Sequence, residues 1–190
     1  MKKILFLCVS AFLLTGCLSG RSPDSKFFLL EQGKDIEIVS DKKISLLVEP
    51  VVVPDLIYKP QIVLKKEESA QILISEFNRW AEPLPDVLRQ TLMDDLQLYL
   101  PAAFIKPVLY TTDTPKYQYR LNVEVNHFIG TFDNVAVLDV WWSLKNASGK
   151  TIVRKKTHLE TPIGDTYQDY VLAQSRLVSD LAKLIAESIK

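Results

Sequence analysis

A regular alternation of apolar and polar side chains from Tyr117 to Ile129 is the sequence feature that most restricts the fold of this chain. Successive side chains of a β-strand point to opposite faces, so the alternation predicts a long strand that is buried on one face only. The predicted buried face carries Tyr117, Tyr119, Leu121, Val123, Val125 and His127. A sheet with one buried face needs a covering layer, and two other segments of the chain have the pattern of amphipathic helices.

The first predicted helix has a leucine at every fourth position from Leu84 to Leu100. This spacing places the leucines on one face of an α-helix, which can then pack on the sheet. Pro85 suits the first turn, where a missing N–H costs no intrahelical hydrogen bond, and Pro101 ends the helix. The sequence therefore predicts a core-facing helix across this segment.

The second predicted helix begins near Asp165, which with Gln168 is expected to form a capping box, and its apolar stripe runs from Tyr167 to Ile189. Further strands are predicted at Phe27–Leu30, Ile44–Val53, Gln61–Leu64, Gln71–Ile74, Phe104–Tyr110, Asn134–Leu144 and Thr151–Thr161. The order of strands, helix, strands and helix predicts an α+β fold. We expect a two-layer sandwich in which one mainly antiparallel sheet carries both amphipathic helices on one face.

The N-terminus has the pattern of a bacterial export signal. Lys2 and Lys3 form a basic start, and the apolar run Ile4–Leu14 that follows is too short for a helix that crosses a bilayer, which needs about 20 residues. The next segment, Leu14–Cys17 (Leu-Thr-Gly-Cys), looks like a bacterial lipobox. We therefore predict cleavage just before Cys17 and attachment of lipid to its thiol. The acyl chains would hold the mature protein on a membrane.

These features divide the chain into three parts. Residues 1–16 are predicted to be a lipoprotein signal peptide, residues 17–25 a lipidated tether, and residues 26–190 a single domain. In enteric-type sorting, an aspartate after the lipidated cysteine retains a lipoprotein at the inner membrane. Leu18 occupies that position here, so the sequence favours the outer membrane and its periplasmic face.

Composition argues against several classes of function. The chain has 23 basic and 23 acidic residues, so no excess of positive charge indicates nucleic acid as a partner. Its two cysteines, Cys8 and Cys17, both lie in the export signal or at the lipid site. His127 and His158 match no metal-binding spacing, and neither a serine elbow nor a glycine-rich phosphate loop is present. We predict a protein that is not an enzyme and needs no cofactor or metal.

Two segments have the composition of recognition surfaces. In Val53–Val63, two prolines enclose an apolar and aromatic loop; in Phe77–Leu84, Trp80 lies between Arg79 and Glu82 just before the first helix. Tryptophan, tyrosine and arginine are the usual anchors of protein interfaces. Two interpretations remain open at this point. Trp80 can fill the junction between sheet and helix while the two charges hold the turn, or both segments can form one docking edge.

The same segments resemble the PqiC-type lipoproteins, the ABC-type transport auxiliary lipoprotein family of the paraquat-inducible system. The resemblance covers essentially the whole mature chain and rests on Pro54-Asp55-Leu56, Lys59-Pro60-Gln61-Ile62-Val63, Asn78-Arg79-Trp80-Ala81-Glu82-Pro83-Leu84, Trp141-Trp142 and the helix from Tyr167 to Ile189. Lys59 departs from the pattern, because family members often have arginine there.

The resemblance implies a non-catalytic outer-membrane lipoprotein whose partner is an MCE-domain protein that reaches across the periplasm. Together the two would move lipid between membranes and support envelope integrity, and members can also form ring-like homo-oligomers. The alternative is another periplasmic interaction lipoprotein, such as an envelope assembly factor or a regulator of cell-wall synthesis. The candidate partner-binding residues are Pro54, Leu56, Ile57, Tyr58, Lys59 and Pro60, with Arg79, Trp80 and Glu82 as a structural or docking motif. Leu56 and Ile57 can instead simply cover the edge of the core.

Overall fold

The computed structural model describes residues 22–34, 37–66, 69–108, 117–132 and 134–189, and it confirms the predicted α+β class. The predicted Cys17 lipid site lies outside the described residues. The strands are β1 (Lys26–Phe28), β2 (Ser45–Val48), β3 (Gln61–Lys65), β4 (Ile72–Trp80), β5 (Phe104–Pro107), β6 (Tyr119–Gly130), β7 (Val135–Asn146) and β8 (Thr151–Pro162). The helices are α1 (Leu84–Tyr99) and α2 (Tyr167–Glu187).

The described strands form two sheets, where the sequence led us to expect one. A small sheet has the order β1-β4-β3, and a large sheet has the order β5-β2-β6-β7-β8. The long pairings β6–β7 and β7–β8 are antiparallel, whereas the short strands β1, β2 and β5 pair in parallel with their neighbours. Parallel neighbours need long crossover connections, so the pattern of one strand does not reveal its partner.

The second strand is shorter than predicted because Pro50 interrupts it. β2 ends at Val48, and the chain returns to β6 at Val52, whose amide donates to the Val123 carbonyl at 3.1 Å. Proline has no N–H to donate to a ladder, so the pairing breaks at this point and resumes two residues later. The break sends the following segment, 54–60, out of the large sheet.

The alternation along β6 is confirmed up to a bulge. Leu121, Val123 and Val125 are buried as predicted, but the pairing with β7 shifts register between Val125 and His127. An extra residue in one strand reverses the orientation of all later side chains. Phe128 is therefore buried and His127 is exposed, which corrects the expectation that His127 shares the buried face.

Both helices form where predicted and pack against each other over the large sheet. The capping box of α2 lies one residue later than expected, and Thr166 replaces Asp165 as the N-cap. The Thr166 hydroxyl accepts the Asp169 amide at 3.1 Å, and the Asp169 carboxylate accepts the Thr166 amide at 3.2 Å. Asp165 and Gln168 have the same spacing, so only the backbone conformation at Thr166 distinguishes the two registers.

The segment Glu31–Gly33 lies across the helix layer. The Glu31 amide donates to the Ser175 hydroxyl of α2 at 2.9 Å. The Gly33 amide donates to the Asp95 carboxylate of α1 at 2.7 Å. The segment therefore links both helices to the chain that leaves β1.

Candidate functional site

The 54–60 loop folds as a compact turn that separates its apolar side chains. The amides of Ile57 and Tyr58 both donate to the Pro54 carbonyl, at 3.0 and 3.1 Å. Ile57 is only 3% exposed and belongs to the core, whereas Tyr58 is 61% exposed and Leu56 is also exposed. The two sequence-based interpretations thus apply to different residues: Ile57 covers the core, and Leu56 and Tyr58 are left available for contact.

Trp80 is a core residue. It is the last residue of β4 and is 4% exposed, packed within the cluster that also contains Leu84 of α1. Its backbone amide donates to the Pro60 carbonyl at 2.7 Å. The structure therefore places the indole at the junction of sheet and helix, while the backbone of Trp80 holds the end of the 54–60 loop.

Arg79 and Glu82 do not form an ion pair with each other in the described part of the chain. The Arg79 Nε donates instead to the Glu76 carbonyl at 3.2 Å. This contact closes an irregular part of β4, where the Asn78 amide and side chain both donate to the Ser75 hydroxyl at 2.9 Å. Arg79 thus stabilises the strand that leads to Trp80, and Glu82 remains exposed.

The two segments that the sequence singled out meet in one cleft of about 310 Å³. Its walls are residues 58–60 of the loop and residues 80–84, and we call it the motif cleft. The lining is mostly apolar, with Lys59 and Glu82 as its charged residues. The structure therefore brings together Tyr58, Lys59, Pro60, Trp80 and Glu82, as the docking-edge interpretation requires.

Two other candidate residues lie outside the motif cleft. Pro54 is half-buried and accepts the hydrogen bonds that close the turn. Leu56 lines a separate groove of about 520 Å³ between the β3–β4 hairpin and the β6–β7 hairpin, together with Ile72 and His127. The 54–60 loop therefore lies between two surface depressions, and its exposed side chains point to different ones.

A histidine and carboxylate cluster on the large sheet escaped the sequence analysis. The His158 Nδ1 lies 2.6 Å from the Asp139 carboxylate, and its Nε2 lies 3.0 Å from Glu160. His127 lies 3.1 Å from the other oxygen of Asp139. These hydrogen bonds to Asp139 and Glu160 raise the pKa of His158. The residues are paired across β6, β7 and β8, so the strand register was the signal that could have revealed them.

No set of described residues has the composition and arrangement of a metal site, and the histidine cluster is exposed to solvent. Among the described helices, none is both long enough and apolar enough to cross a membrane. The surface that combines convergent side chains with the sequence motifs is the motif cleft, so it is the candidate functional site.

Comparison with known proteins places this fold and these motifs in one family. The model of the family described as "ABC-type transport auxiliary lipoprotein component" matches residues 31–186. The intermembrane transport lipoprotein PqiC of Escherichia coli (strain K12) is 31% identical over 193 residues, which cover all of this chain and 98% of that protein. PqiC of Shigella flexneri matches with the same identity and coverage.

Solved structures agree on the fold. A crystal structure of an uncharacterized protein, 27% identical, superposes with a TM-score of 0.73 and covers 88% of this chain and 100% of its own. A protein from Xanthomonas campestris superposes with a TM-score of 0.68 over 86% of this chain and 94% of its own. At 12% identity the second likeness concerns the fold alone.

Proposed function

The chain belongs to the ABC-type transport auxiliary lipoprotein family, and from this premise we propose that it is a non-catalytic subunit of an MCE-type intermembrane lipid transport system. The proposal places it on the periplasmic face of the outer membrane, where it supports envelope integrity. The similarity to an intermembrane transport lipoprotein of Escherichia coli supports the transport role. Leu18, which replaces the aspartate of inner-membrane retention, supports the location.

The anchor in this proposal is Cys17. A single acyl chain binds a bilayer only marginally, whereas two or three chains on one residue give lasting attachment, because each buried CH₂ contributes about 0.8 kcal/mol. Replacement of Cys17 by serine removes the acceptor and should leave unprocessed precursor without incorporated fatty acid.

The partner in this proposal is an MCE-domain protein that spans the periplasm, and it docks on the motif cleft. The observation that carries this assignment is the exposure of Tyr58 beside the cleft, on a loop that its own turn and the core residue Ile57 hold in place. A side chain on a fixed backbone loses little entropy on binding, so more of the contact energy remains as affinity. Tyr58, Lys59 and Pro60 provide the contacts.

The remaining motif residues have supporting roles in this proposal. Trp80 forms the floor of the motif cleft, and Glu82 provides a charge at its side. Arg79 holds the irregular part of β4 through the Glu76 carbonyl. The Pro54 carbonyl accepts the two hydrogen bonds that close the turn, and Ile57 packs in the core beneath it. Binding therefore depends on a surface assembled from two segments, each of which the core positions.

The experiment that tests this function is crosslinked capture from membranes with the lipidated full-length protein. We expect the wild type to capture an MCE-domain protein and the variant with Tyr58→Ala and Lys59→Glu to lose most of that capture while it remains folded by circular dichroism. The matched control combines Phe104→Ala with Lys106→Glu, which removes an aromatic side chain of similar exposure and a nearby lysine at the edge of the large sheet.

Three results separate the parts of the proposal. Normal capture by a folded loop variant would overturn the docking site. Equal loss in the Phe104 control would show a general charge effect rather than a site. If the wild type captures no MCE-domain protein, the transport function itself is wrong, and capture of assembly or cell-wall factors would favour another periplasmic interaction lipoprotein.

A further inference from the structure

The edge strand β1 and the residue that follows it, Leu29, expose two large apolar side chains on one side of the chain. Phe27 is 64% exposed and Leu29 is 51% exposed, while Phe28 between them packs against the core. β1 is an edge strand of the small sheet, and the exposure of these two side chains shows that nothing in the described chain covers them. Adjacent exposed apolar side chains on a small protein are typical of contact surfaces.

The outer face of the small sheet continues from β1 to the end of β4 and the start of β3. Phe27 is paired with Arg79 of β4, and Arg79 is paired with Gln61 of β3. Because Trp80 points into the core, its neighbour Arg79 points outward, and residues paired across strands share a face. We call this row, together with Leu29, the outer face of the small sheet.

One basic side chain, Arg79, belongs to this face, and Lys26 precedes Phe27 in β1 but points to the other side. Lys26 is exposed and Arg79 is half-buried, and neither forms an ion pair within the described residues. Exposed acidic residues, Asp24 and Glu82, lie close by in the sequence, so the net attraction to anions is modest. Apolar side chains with lysine or arginine nearby are also found on the amphipathic helices that lie at the interface of a phospholipid bilayer.

The position of the anchor adds a separate argument. Cys17 and the start of β1 at Lys26 are so close in sequence that even a fully extended chain would separate them by only about 30 Å. β1 is the first described element after the lipid attachment point. The start of β1 therefore cannot lie more than about 30 Å from the leaflet that holds the acyl chains, which leaves its exposed face within reach of the headgroups.

We propose that the outer face of the small sheet contacts the phospholipid leaflet in which the protein is anchored, with Phe27 and Leu29 inserted among the headgroups. The inference rests on the proposed lipid attachment at Cys17. The contact gives the domain one orientation on the membrane, because the lipid and the apolar side chains then hold it at two places. The motif cleft, which lies at the end of β4, is thereby held at a constant height above the leaflet.

The test uses the lipidated protein in vesicles of phosphatidylethanolamine and phosphatidylglycerol. Cys17 is the sole cysteine that remains after signal cleavage, so Gln61→Cys introduces a unique thiol on the outer face, far in sequence from the anchor. Phe104→Cys introduces the matched control on the large sheet, at a residue that is 55% exposed. Each thiol receives an environment-sensitive fluorophore, and lipids that carry a nitroxide headgroup serve as quenchers.

We expect a blue shift and quenching of the probe at position 61 and neither effect at position 104. Phe27→Asp combined with Leu29→Asp should abolish both effects at position 61, while flotation with the vesicles persists. Equal quenching at both positions, or none at position 61 in a protein that floats, overturns the proposal. A blue shift without quenching means that a second copy covers the face, which also overturns it. If the lipidated chain does not float with vesicles, the anchor itself has failed.

Discussion

The large and the small sheet share one hydrophobic core but differ in how completely they are covered. The three long strands of the large sheet have 12 residues each; the inner side chains of β6 and β7 are buried beneath α1 and α2, and Val153 and Leu159 of β8 pack against this core while only partly buried. The small sheet has strands of 3, 5 and 9 residues, and it buries Ile62, Val63 and Leu64 of β3. Its outer face and the start of β4, residues 72–74, expose apolar side chains.

This difference indicates a division of roles. The large sheet and its helices bury enough apolar surface to provide most of the folding stability, because burial scales with the area removed from water. The small sheet is only partly covered, and its exposed surfaces carry the motif cleft and the exposed residues at β1. Regions that retain exposed apolar groups beside a stable core are those best suited to partners.

The largest expected effect tests whether the small sheet belongs to the same cooperative unit as the large one. Trp80→Ala should lower the free energy of unfolding by about 3–5 kcal/mol, because it leaves a cavity at the junction of β4 and α1. Trp142→Ala, in the large sheet, should have a similar effect, whereas Trp141→Ala, at a partly exposed residue, should have a small one. Urea denaturation gives the free energy of unfolding of each of the three variants. A Trp80 variant as stable as the wild type would mean that the small sheet unfolds independently.

A smaller effect distinguishes the two halves of the 54–60 loop. Ile57→Ala should lower the free energy of unfolding by about 2–4 kcal/mol, since the side chain is buried in the core. Leu56→Ala, one residue earlier and exposed, should change stability by less than about 1 kcal/mol. Thermal or urea unfolding compares the two. Equal costs would show that Leu56 also packs in the core and is not available to a partner.

The smallest effect concerns Asp95, which joins the helix layer to the Glu31–Gly33 segment. Burial raises its pKa to about 6, with a lesser contribution from the neighbouring Asp94, while the Gly33 amide opposes the shift. The folded state therefore binds this proton more readily than the unfolded state, whose ordinary value is 3.8. The protonated group therefore contributes its full stabilisation below pH 3.8, and this contribution is lost as the pH rises through about 6.

The expected size of this pH effect is on the order of 1–3 kcal/mol between pH 7 and pH 4. Asp95→Asn keeps an acceptor for the Gly33 amide but cannot titrate, so it should remove this component of the pH dependence. The urea midpoints of the wild type and the variant at several pH values provide the measurement. As the pH falls, the free energy of unfolding of the wild type should increase relative to that of the variant. A difference between the two that stays constant with pH would contradict a buried, titrating carboxyl group.

The sequence predicted the elements that depend on local patterns. The leucine spacing of α1, the stripe of α2 and the alternation of β6 are each visible in one segment, and each element forms at the expected place. The errors occur where contacts between distant segments decide the result. The bulge after Val125 exposes His127, and the capping register of α2 shifts to Thr166. Periodicity predicts neither result, because the sequence fits a strand with or without the bulge and a capping box that starts at Asp165 or at Thr166.

The candidate site shows the same division. The prolines of the 54–60 loop and the residues around Trp80 stand out in the sequence, but no pattern says that they form one cleft. Their meeting depends on the hydrogen bond from the Trp80 amide, at the end of β4, to the carbonyl of Pro60, the residue before β3. The exposure of Tyr58 and the burial of its neighbour Ile57 likewise depend on the direction of a turn relative to the core.

The sequence by itself determined the α+β class, the two helices, the long antiparallel strands and the segments that became the motif cleft. These properties follow from side-chain periodicity and from proline positions, which act over a few residues. The tertiary structure alone decided that the strands divide into two sheets, that Trp80 belongs to the core, and which face of β1 remains uncovered. Those results depend on which distant segments pack together, because burial is a property of the whole chain and not of any one segment.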